Sequence, residues 1–215
     1  MVGIDNTSAR YEEYRGPACR FAQDEPERLS RRPPAAGDDR AFTNYATFLI
    51  HELRPQIERT YRVRRDAAQT GLLGSSLGGS CSLALAWDHP EVFGLAASLS
   101  GAFQVERTNF LGNVLRAYRG PAKPVRLYLD SGTTDFTGDD DGRRNTEAVA
   151  AELRRIGWKD GATLMHFVDE RPLTEEALAK TGLRQDKWKE ALFSQHNEFY
   201  WRQRVWRALV FLFPP

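Results

Sequence analysis

The sequence predicts an α/β domain with a mainly parallel sheet flanked by helices. Four short apolar runs have the length of buried strands, and segments with helical spacing or small-residue composition lie between them. Parallel strands need long crossover connections, and helices between strands supply them. The 215 residues show no internal repeat and no sign of a second domain, so we expect a single domain over residues 1–215.

The elements of the first half follow from apolar spacing and turn residues. Residues 1–4 run into the loop signal Asp5-Asn6-Thr7 and are predicted to end a short strand, and residues 15–40, rich in Arg, Pro, Gly and Asp, are predicted to form a long surface loop. Apolar residues at helical spacing predict a helix over Phe42–Tyr61, which Pro55 ends or kinks. The next run, Thr70–Leu73, is predicted as a buried strand, and the small and apolar residues up to Trp87 as a buried helix.

The second half repeats the alternation of strand and helix. Strands are predicted at residues 94–99, 125–129 and 163–168. An amphipathic helix is predicted over Asn145–Ile156, where Gly157 follows as a C-cap, and the last helix is predicted over Phe199–Phe213. Residues 169–193 are predicted to form a partly helical insertion, for which a lid over the site is one interpretation.

Charge and composition exclude several classes of partner. The 30 basic residues are mixed with 29 acidic ones, and the net charge of +1 gives no field for nucleic acid or a membrane surface. No apolar run is long enough to span a membrane, and the N-terminus has no signal-peptide pattern, so a cytoplasmic location is expected. Cys19 and Cys81 do not make a disulfide framework, and Cys81 is predicted to be a small core residue.

The stretch from Gly74 to Gly78 has the pattern G-x-S-x-G with Ser76 at its centre. A strand before it and a helix after it give the context of a nucleophile elbow, in which a strained turn exposes the serine hydroxyl. We expect both glycines to let strand and helix approach closely, and the N–H of Leu77 to serve as an oxyanion donor. The alternative is a glycine-rich turn whose serine only caps a helix.

A serine nucleophile needs a base, and the chain has four histidines for that role: His51, His89, His166 and His196. The first three lie inside a predicted helix, at a helix end and within a predicted strand. His196 lies in a polar loop between the last strand and the last helix, where an α/β-hydrolase carries its base. The pattern therefore favours His196.

The acid that orients the base should follow a strand after the elbow, which leaves Asp130, Asp135 and Asp139–Asp141 as candidates. Asp130 ends the strand and can brace a turn. Residues 139–141 are interpreted as a solvated acidic loop, which lacks the ligand spacing and the partner histidine of a metal site. We predict Asp135 as the acid, no metal and no cofactor.

Several motifs in the same order resemble the putative esterase family of α/β-hydrolases, over nearly the whole chain. The matching segments are Val2–Thr7 with Arg10 and Glu13-Tyr14, Phe48-Leu49 with Glu52–Pro55, Tyr61-Arg62, Gly74–Gly79, His89-Pro90 with Phe93-Gly94, Tyr128–Asp130 with Gly132–Asp135, and His196–Glu198 with Trp201 and Arg204. The resemblance implies an α/β-hydrolase fold with Ser76 as nucleophile, Asp135 as acid and His196 as base.

The family generally has further early strands and an H-D-G-like segment before the part that matches Val2–Thr7. The sequence is therefore interpreted as an N-terminally shortened form of the domain, with an open sheet edge and no named second oxyanion donor. Two alternatives are open: a natural short form, paired through this edge as a homodimer, or a fragment.

These observations favour a serine carboxylic-ester hydrolase that acts on a small-molecule ester through an acyl-enzyme. A hydrolase-fold binding protein with weak or no activity and an acyltransferase are the alternatives, because the triad alone does not choose the acceptor. The sequence does not identify the acyl or the alcohol group.

Overall fold

The computed structural model describes residues 1–16, 40–103, 110–170 and 172–214. Its described strands form one sheet in the order β1-β2-β3-β4, and every neighbouring pair is parallel. The strands are β1 (Gly71–Ser75), β2 (Leu95–Leu99), β3 (Arg126–Ser131) and β4 (Leu164–Val168). The predicted mainly parallel α/β architecture is confirmed.

The helices occupy the crossovers and the two ends of the chain. They are α1 (Arg10–Glu13), α2 (Arg40–Thr47), α3 (Arg54–Thr60), α4 (Leu77–Asp88), α5 (Arg143–Ile156), α6 (Glu175–Ala179), α7 (Trp188–Phe193) and α8 (Glu198–Leu212). Other helical segments lie at Phe48–Leu53 and Phe110–Leu115, which are π-helical, and at Ala67–Gln69 and Gln185–Lys187, which are 3₁₀.

The helix predicted over Phe42–Tyr61 is a continuous helical run that changes its winding before Pro55. The N–H of Arg54 donates to the carbonyl of Leu49, five residues back, so the segment between α2 and α3 is a π-helix. Proline has no N–H and its ring crowds the preceding turn, which accounts for the wider winding at this point.

Strand alternation divides the core between the two faces of the sheet. Ala96, Leu127 and Leu129 pack with α4 and α5, whereas Leu95, Ala97 and Tyr128 pack with α8. Helix α4 is buried along most of its length because it is apolar on all sides and lies across β1 and β2.

The insertion at 169–193 packs on the beginning of α8. Leu178 and Ala191 form a small core with Tyr200, whose hydroxyl accepts from the N–H of Leu173 and donates to the carbonyl of Ala191. Its position is thereby fixed, and a lid role stays a prediction.

The remaining predictions have different outcomes. Residues 1–7 form no strand, so that prediction is wrong. Most of the predicted loop at 15–40 and Cys19 lie outside the described residues. Within the described part of the chain β1 pairs only with β2, and pairing as a homodimer stays a prediction. Among the described helices none has the length and apolar character needed to cross a membrane.

Candidate active site

Strand β1, Ser76 and helix α4 form the sharp turn that the sequence predicts. Ser76 has φ 52° and ψ −124°, a backbone conformation that non-glycine residues rarely adopt. A Cβ at Gly74 would overlap the carbonyl of Gly78, so glycine is required there for the helix to approach the strand. A Cβ at Gly78 would meet nothing within 4 Å, so the expected need for glycine at both positions is corrected to Gly74 alone.

The structure brings Ser76 and His196 together across 120 positions of sequence. Ser76 Oγ lies 3.0 Å from Nε2 of His196, which is hydrogen-bonding distance. The histidine loop is held by its neighbour Gln195, whose side-chain oxygen accepts from the N–H of Thr133 at 2.7 Å and whose amide donates to the carbonyl of Asp169 at 3.0 Å. Asn197 then caps α8 by accepting from the N–H of Tyr200.

The carboxylate beside His196 is Asp141, which corrects the predicted acid. Asp141 Oδ1 lies 2.6 Å from Nδ1 of His196, and only 1% of the residue is exposed. Asp141 has φ 54°, so its backbone is in the left-handed region. In this conformation its side chain lies beside His196. A run of three aspartates suggested a solvated loop, yet only its last member is buried.

Asp135 is engaged within its own loop instead. Its Oδ1 accepts from the N–H of Thr137 at 2.8 Å, the hydroxyl of Thr137 at 2.6 Å and the N–H of Asp139 at 3.0 Å. Partial burial alone raises the pKa of Asp135, but these hydrogen bonds outweigh it and hold the pKa below its ordinary value. Asp135 thus shapes the turn that returns the chain to Asp141.

The second oxygen of Asp141 is fixed by groups behind the histidine. Oδ2 accepts from the N–H of Gly132 and, at 2.7 Å, from the hydroxyl of Ser100. The guanidinium of Arg204 lies 3.7 Å from the same oxygen. The carboxylate therefore has partners on both oxygens, which holds its plane in one orientation.

A second buried carboxylate, Asp130, lies under the same guanidinium, with Oδ1 3.3 Å from Nε of Arg204. Tyr128 donates to its other oxygen at 3.1 Å. Burial raises the pKa of Asp130 to about 6, although Arg204 and Tyr128 act in the opposite direction. Asp130 pairs with Arg204, and among the described residues it has no hydrogen bond to Ser76 or His196.

A cleft of about 1290 Å³ opens beside Ser76 and His196. Phe136, which is 62% exposed, and Trp201 pack edge-on against the imidazole at ring distances of 6.0 and 5.1 Å. The described residues that line this cleft are all outside 169–193. In the described part of the chain no cluster of three or more His, Cys, Asp and Glu side chains is arranged to hold a metal ion.

The sequence indicated Ser76 and His196, but Asp141 was set aside among the candidate acids, and Ser100 and Arg204 were given no role. Ser100 carried a signal, because a serine directly after a buried strand and before Gly101 marks the end of a strand at the edge where sites collect. For Arg204 the signal was its place in the family motif that starts at His196 and includes Trp201.

A family model described as "Putative esterase" matches residues 14–212 of the chain. The MPT51 antigen of Mycobacterium leprae is 37% identical over 92 residues, which are 38% of this chain and 29% of the antigen. Enterochelin esterase from Shigella flexneri superposes with a TM-score of 0.61 at 19% identity, over 98% of this chain and 41% of that one. A ferulic acid esterase superposes with a TM-score of 0.55 at 18% identity, over 78% of this chain and 59% of that one.

These likenesses confirm the α/β-hydrolase fold that the sequence predicts. The chain spans less than two thirds of the length of each of these proteins.

Proposed function

Because the chain belongs to the putative esterase family, we propose that it is a carboxylic-ester hydrolase whose triad is Ser76, His196 and Asp141. The observation that carries the proposal is the unbroken line of hydrogen bonds from Asp141 through His196 to Ser76. A buried acid, an imidazole and a hydroxyl in this order are the parts that nucleophilic acyl transfer requires.

In the first step Ser76 Oγ attacks the ester carbonyl while Nε2 of His196 takes its proton. The carbonyl π electrons move to the oxygen, and a tetrahedral intermediate forms. Asp141 holds Nδ1–H, so that Nε2 is the unprotonated nitrogen that faces the serine, and it stabilises the imidazolium that results. His196 then returns the proton to the departing alkoxide, which leaves an acyl-enzyme.

In the second step water takes the place of the alcohol. His196 removes a proton from water, the hydroxide adds to the acyl carbonyl, and collapse releases the acid and returns the proton to Ser76. Leu77 is the first residue of α4, and the N–H groups of a first helical turn have no acceptor within the helix. We assign its N–H to the developing oxyanion.

The substrate proposed is a small-molecule ester bound in the cleft beside His196. Two of the structures similar to this chain are an enterochelin esterase and a ferulic acid esterase, which supports a small ester. The volume of the cleft and the aromatic rings beside His196 suit an apolar group on one side of the scissile bond.

Hydrolysis of p-nitrophenyl acetate and butyrate tests the proposal. Wild type is expected to release p-nitrophenol and to be labelled at Ser76 by a fluorophosphonate, and Ser76→Ala to lose both, with kcat reduced by about 10⁴ or more. Product analysis with added alcohol separates hydrolysis from acyl transfer. Ester hydrolysis that persists undiminished in Ser76→Ala would refute the assignment, and absence of both hydrolysis and labelling in wild type would favour a binding protein.

A further inference from the structure

The hydroxyl of Ser100 joins helix α8 to the candidate acid. Ser100 Oγ lies 2.7 Å from Asp141 Oδ2, 2.7 Å from a terminal nitrogen of Arg204 and 3.1 Å from the indole nitrogen of Trp201. Trp201 and Arg204 are three residues apart on α8 and so lie on the same face of the helix. Both reach the one hydroxyl.

The chemistry of these groups fixes the direction of every hydrogen bond in the set. An indole N–H and a guanidinium can only donate, so Ser100 Oγ accepts from both and its lone pairs are occupied. Its single hydrogen therefore points to Asp141 Oδ2. That oxygen also accepts from the N–H of Gly132, so two donors are directed at it.

The hydrogen bonds to Asp141 Oδ2 also affect how His196 faces Ser76. With Oδ2 held by donors, Oδ1 is left to accept from Nδ1 of His196, and Nε2 then faces Ser76 Oγ as a base. Hydrogen bonds thus converge on Asp141 from two sides: from Arg204 and Trp201 through Ser100 to Oδ2, and from Ser76 through His196 to Oδ1.

The backbone of Ser100 is itself held in place. Its φ of 47° lies in the left-handed region, and the residue is 1% exposed. Its N–H donates to the carbonyl of Asp130 at 2.9 Å and approaches Asp130 Oδ1 at 3.3 Å. A serine in a strained conformation, buried with its N–H and its hydroxyl both engaged, indicates a specific need for the hydroxyl.

We infer that Ser100 is a positioning residue, which, with Trp201 and Arg204 as its donors, orients Asp141 toward His196. The inference rests on the proposed function, since orientation of the acid has a kinetic effect only if the triad is catalytic. Among the described residues no hydrogen bond joins Ser100 to Ser76 or His196, so its hydroxyl acts through Asp141.

Ser100→Gly removes the hydroxyl and suits the positive φ, so the exchange itself adds no backbone strain. We expect kcat per active site, with sites counted by fluorophosphonate titration, to fall about 10-fold or more at an unchanged KM. The matched control is Ser98→Ala. Ser98 is also a buried serine at the end of β2, and its hydroxyl has no hydrogen-bond partner in the described part of the chain, so its kcat should equal that of wild type.

Trp201→Phe supplies the second measurement, because it removes the indole donor and keeps Ser100 and all charges. It should lower kcat in wild type and have no further effect in Ser100→Gly, where the indole N–H has already lost its acceptor. A purely structural role would reduce the number of titratable sites and leave kcat per site unchanged.

A kcat per site within twofold of wild type in Ser100→Gly, or in Trp201→Phe if the glycine variant does not fold, would overturn the inference while the loss of activity in Ser76→Ala still upholds the proposed function. If wild type itself shows no Ser76-dependent hydrolysis, both fail.

Discussion

At the scale of single residues, one buried arginine faces three carboxylates. The guanidinium of Arg204 lies 3.3 Å from Asp130, 3.7 Å from Asp141 and 3.8 Å from Asp169, and only 2% of the residue is exposed. A single positive charge cannot fully compensate the two carboxylates that are buried with it. Burial is the main cause of the raised pKa of Asp130, with a smaller contribution from the carboxylate of Asp141, since taking up a proton relieves the cost of burying the charge.

Asp130 should therefore make stability depend on pH. Its pKa is about 6 in the folded protein, above the ordinary value of 3.8, so between these two the folded state binds more protons than the unfolded state. The free energy of unfolding should then fall as pH rises from 4 to 7, by up to about 2–3 kcal/mol from this residue. Urea unfolding at pH 4 and pH 7 gives the change in unfolding free energy between these pH values for wild type and for Asp130→Asn. The difference between the two changes measures the contribution of Asp130.

The neutral amide of Asp130→Asn has no proton to exchange in this range, so its unfolding free energy should lack that fall. Equal pH dependence in the two proteins would show that Asp130 is ionised throughout the range and that Arg204 compensates it fully.

At the scale of elements, the turn between β1 and α4 depends on one close backbone contact. The helix starts immediately after Ser76, and the carbonyl of Gly78 lies where a Cβ of residue 74 would be. The contact fixes the angle between strand and helix and, with it, the position of the Ser76 hydroxyl and of the first-turn N–H groups.

Gly74→Ala and Gly78→Ala form a matched pair at this turn. Gly74→Ala should lower the free energy of unfolding by about 2–3 kcal/mol and abolish fluorophosphonate labelling, because backbone atoms must move to admit the methyl group. Gly78→Ala should fold at least as stably as wild type, with a gain of up to about 1 kcal/mol from helix propensity. Urea unfolding checks both, and a Gly74→Ala protein as stable as wild type would refute the contact.

At the scale of the whole molecule, the parallel sheet assembles the site from the carboxyl ends of its strands. Ser76 follows β1 directly, Ser100 follows β2, and Asp169 follows β4. Asp141 lies on the loop after β3. The described non-glycine residues with positive φ are Ser76, Ser100 and Asp141, so each of the first three strands is followed by one, and all three lie in the line of contacts that ends at Ser76.

The fold was largely predictable because the sheet is buried on both faces, so its strands are short apolar runs that can be recognised in the sequence. The strand predicted at 94–99 is Leu95–Leu99 in the structure, and the one at 163–168 is Leu164–Val168. Ser76 and His196 were predictable as candidates from local pattern and position. The acid was not, because the path of the loop depends on the Asp135 turn and on the left-handed conformation of Asp141.

The hydrogen-bond partners of Ser100 also could not be predicted from the sequence. Its hydroxyl meets Asp141 and Arg204 across 41 and 104 positions, and no local pattern records such contacts. The motif that starts at His196 and includes Trp201 and Arg204 acquires a physical explanation only when α8 is seen to lie against Ser100.

The most direct test of the account compares Asp141→Asn with Asp135→Asn in the p-nitrophenyl ester assay. The first exchange preserves shape and removes the charge that orients and stabilises the imidazole, so kcat/KM should fall by about 10³ or more. The second keeps an oxygen that can accept the three hydrogen bonds of the Asp135 turn, so the loop that carries Asp141 is preserved and kcat/KM should stay close to that of wild type. If Asp135→Asn loses the activity and Asp141→Asn retains it, the triad described here is wrong.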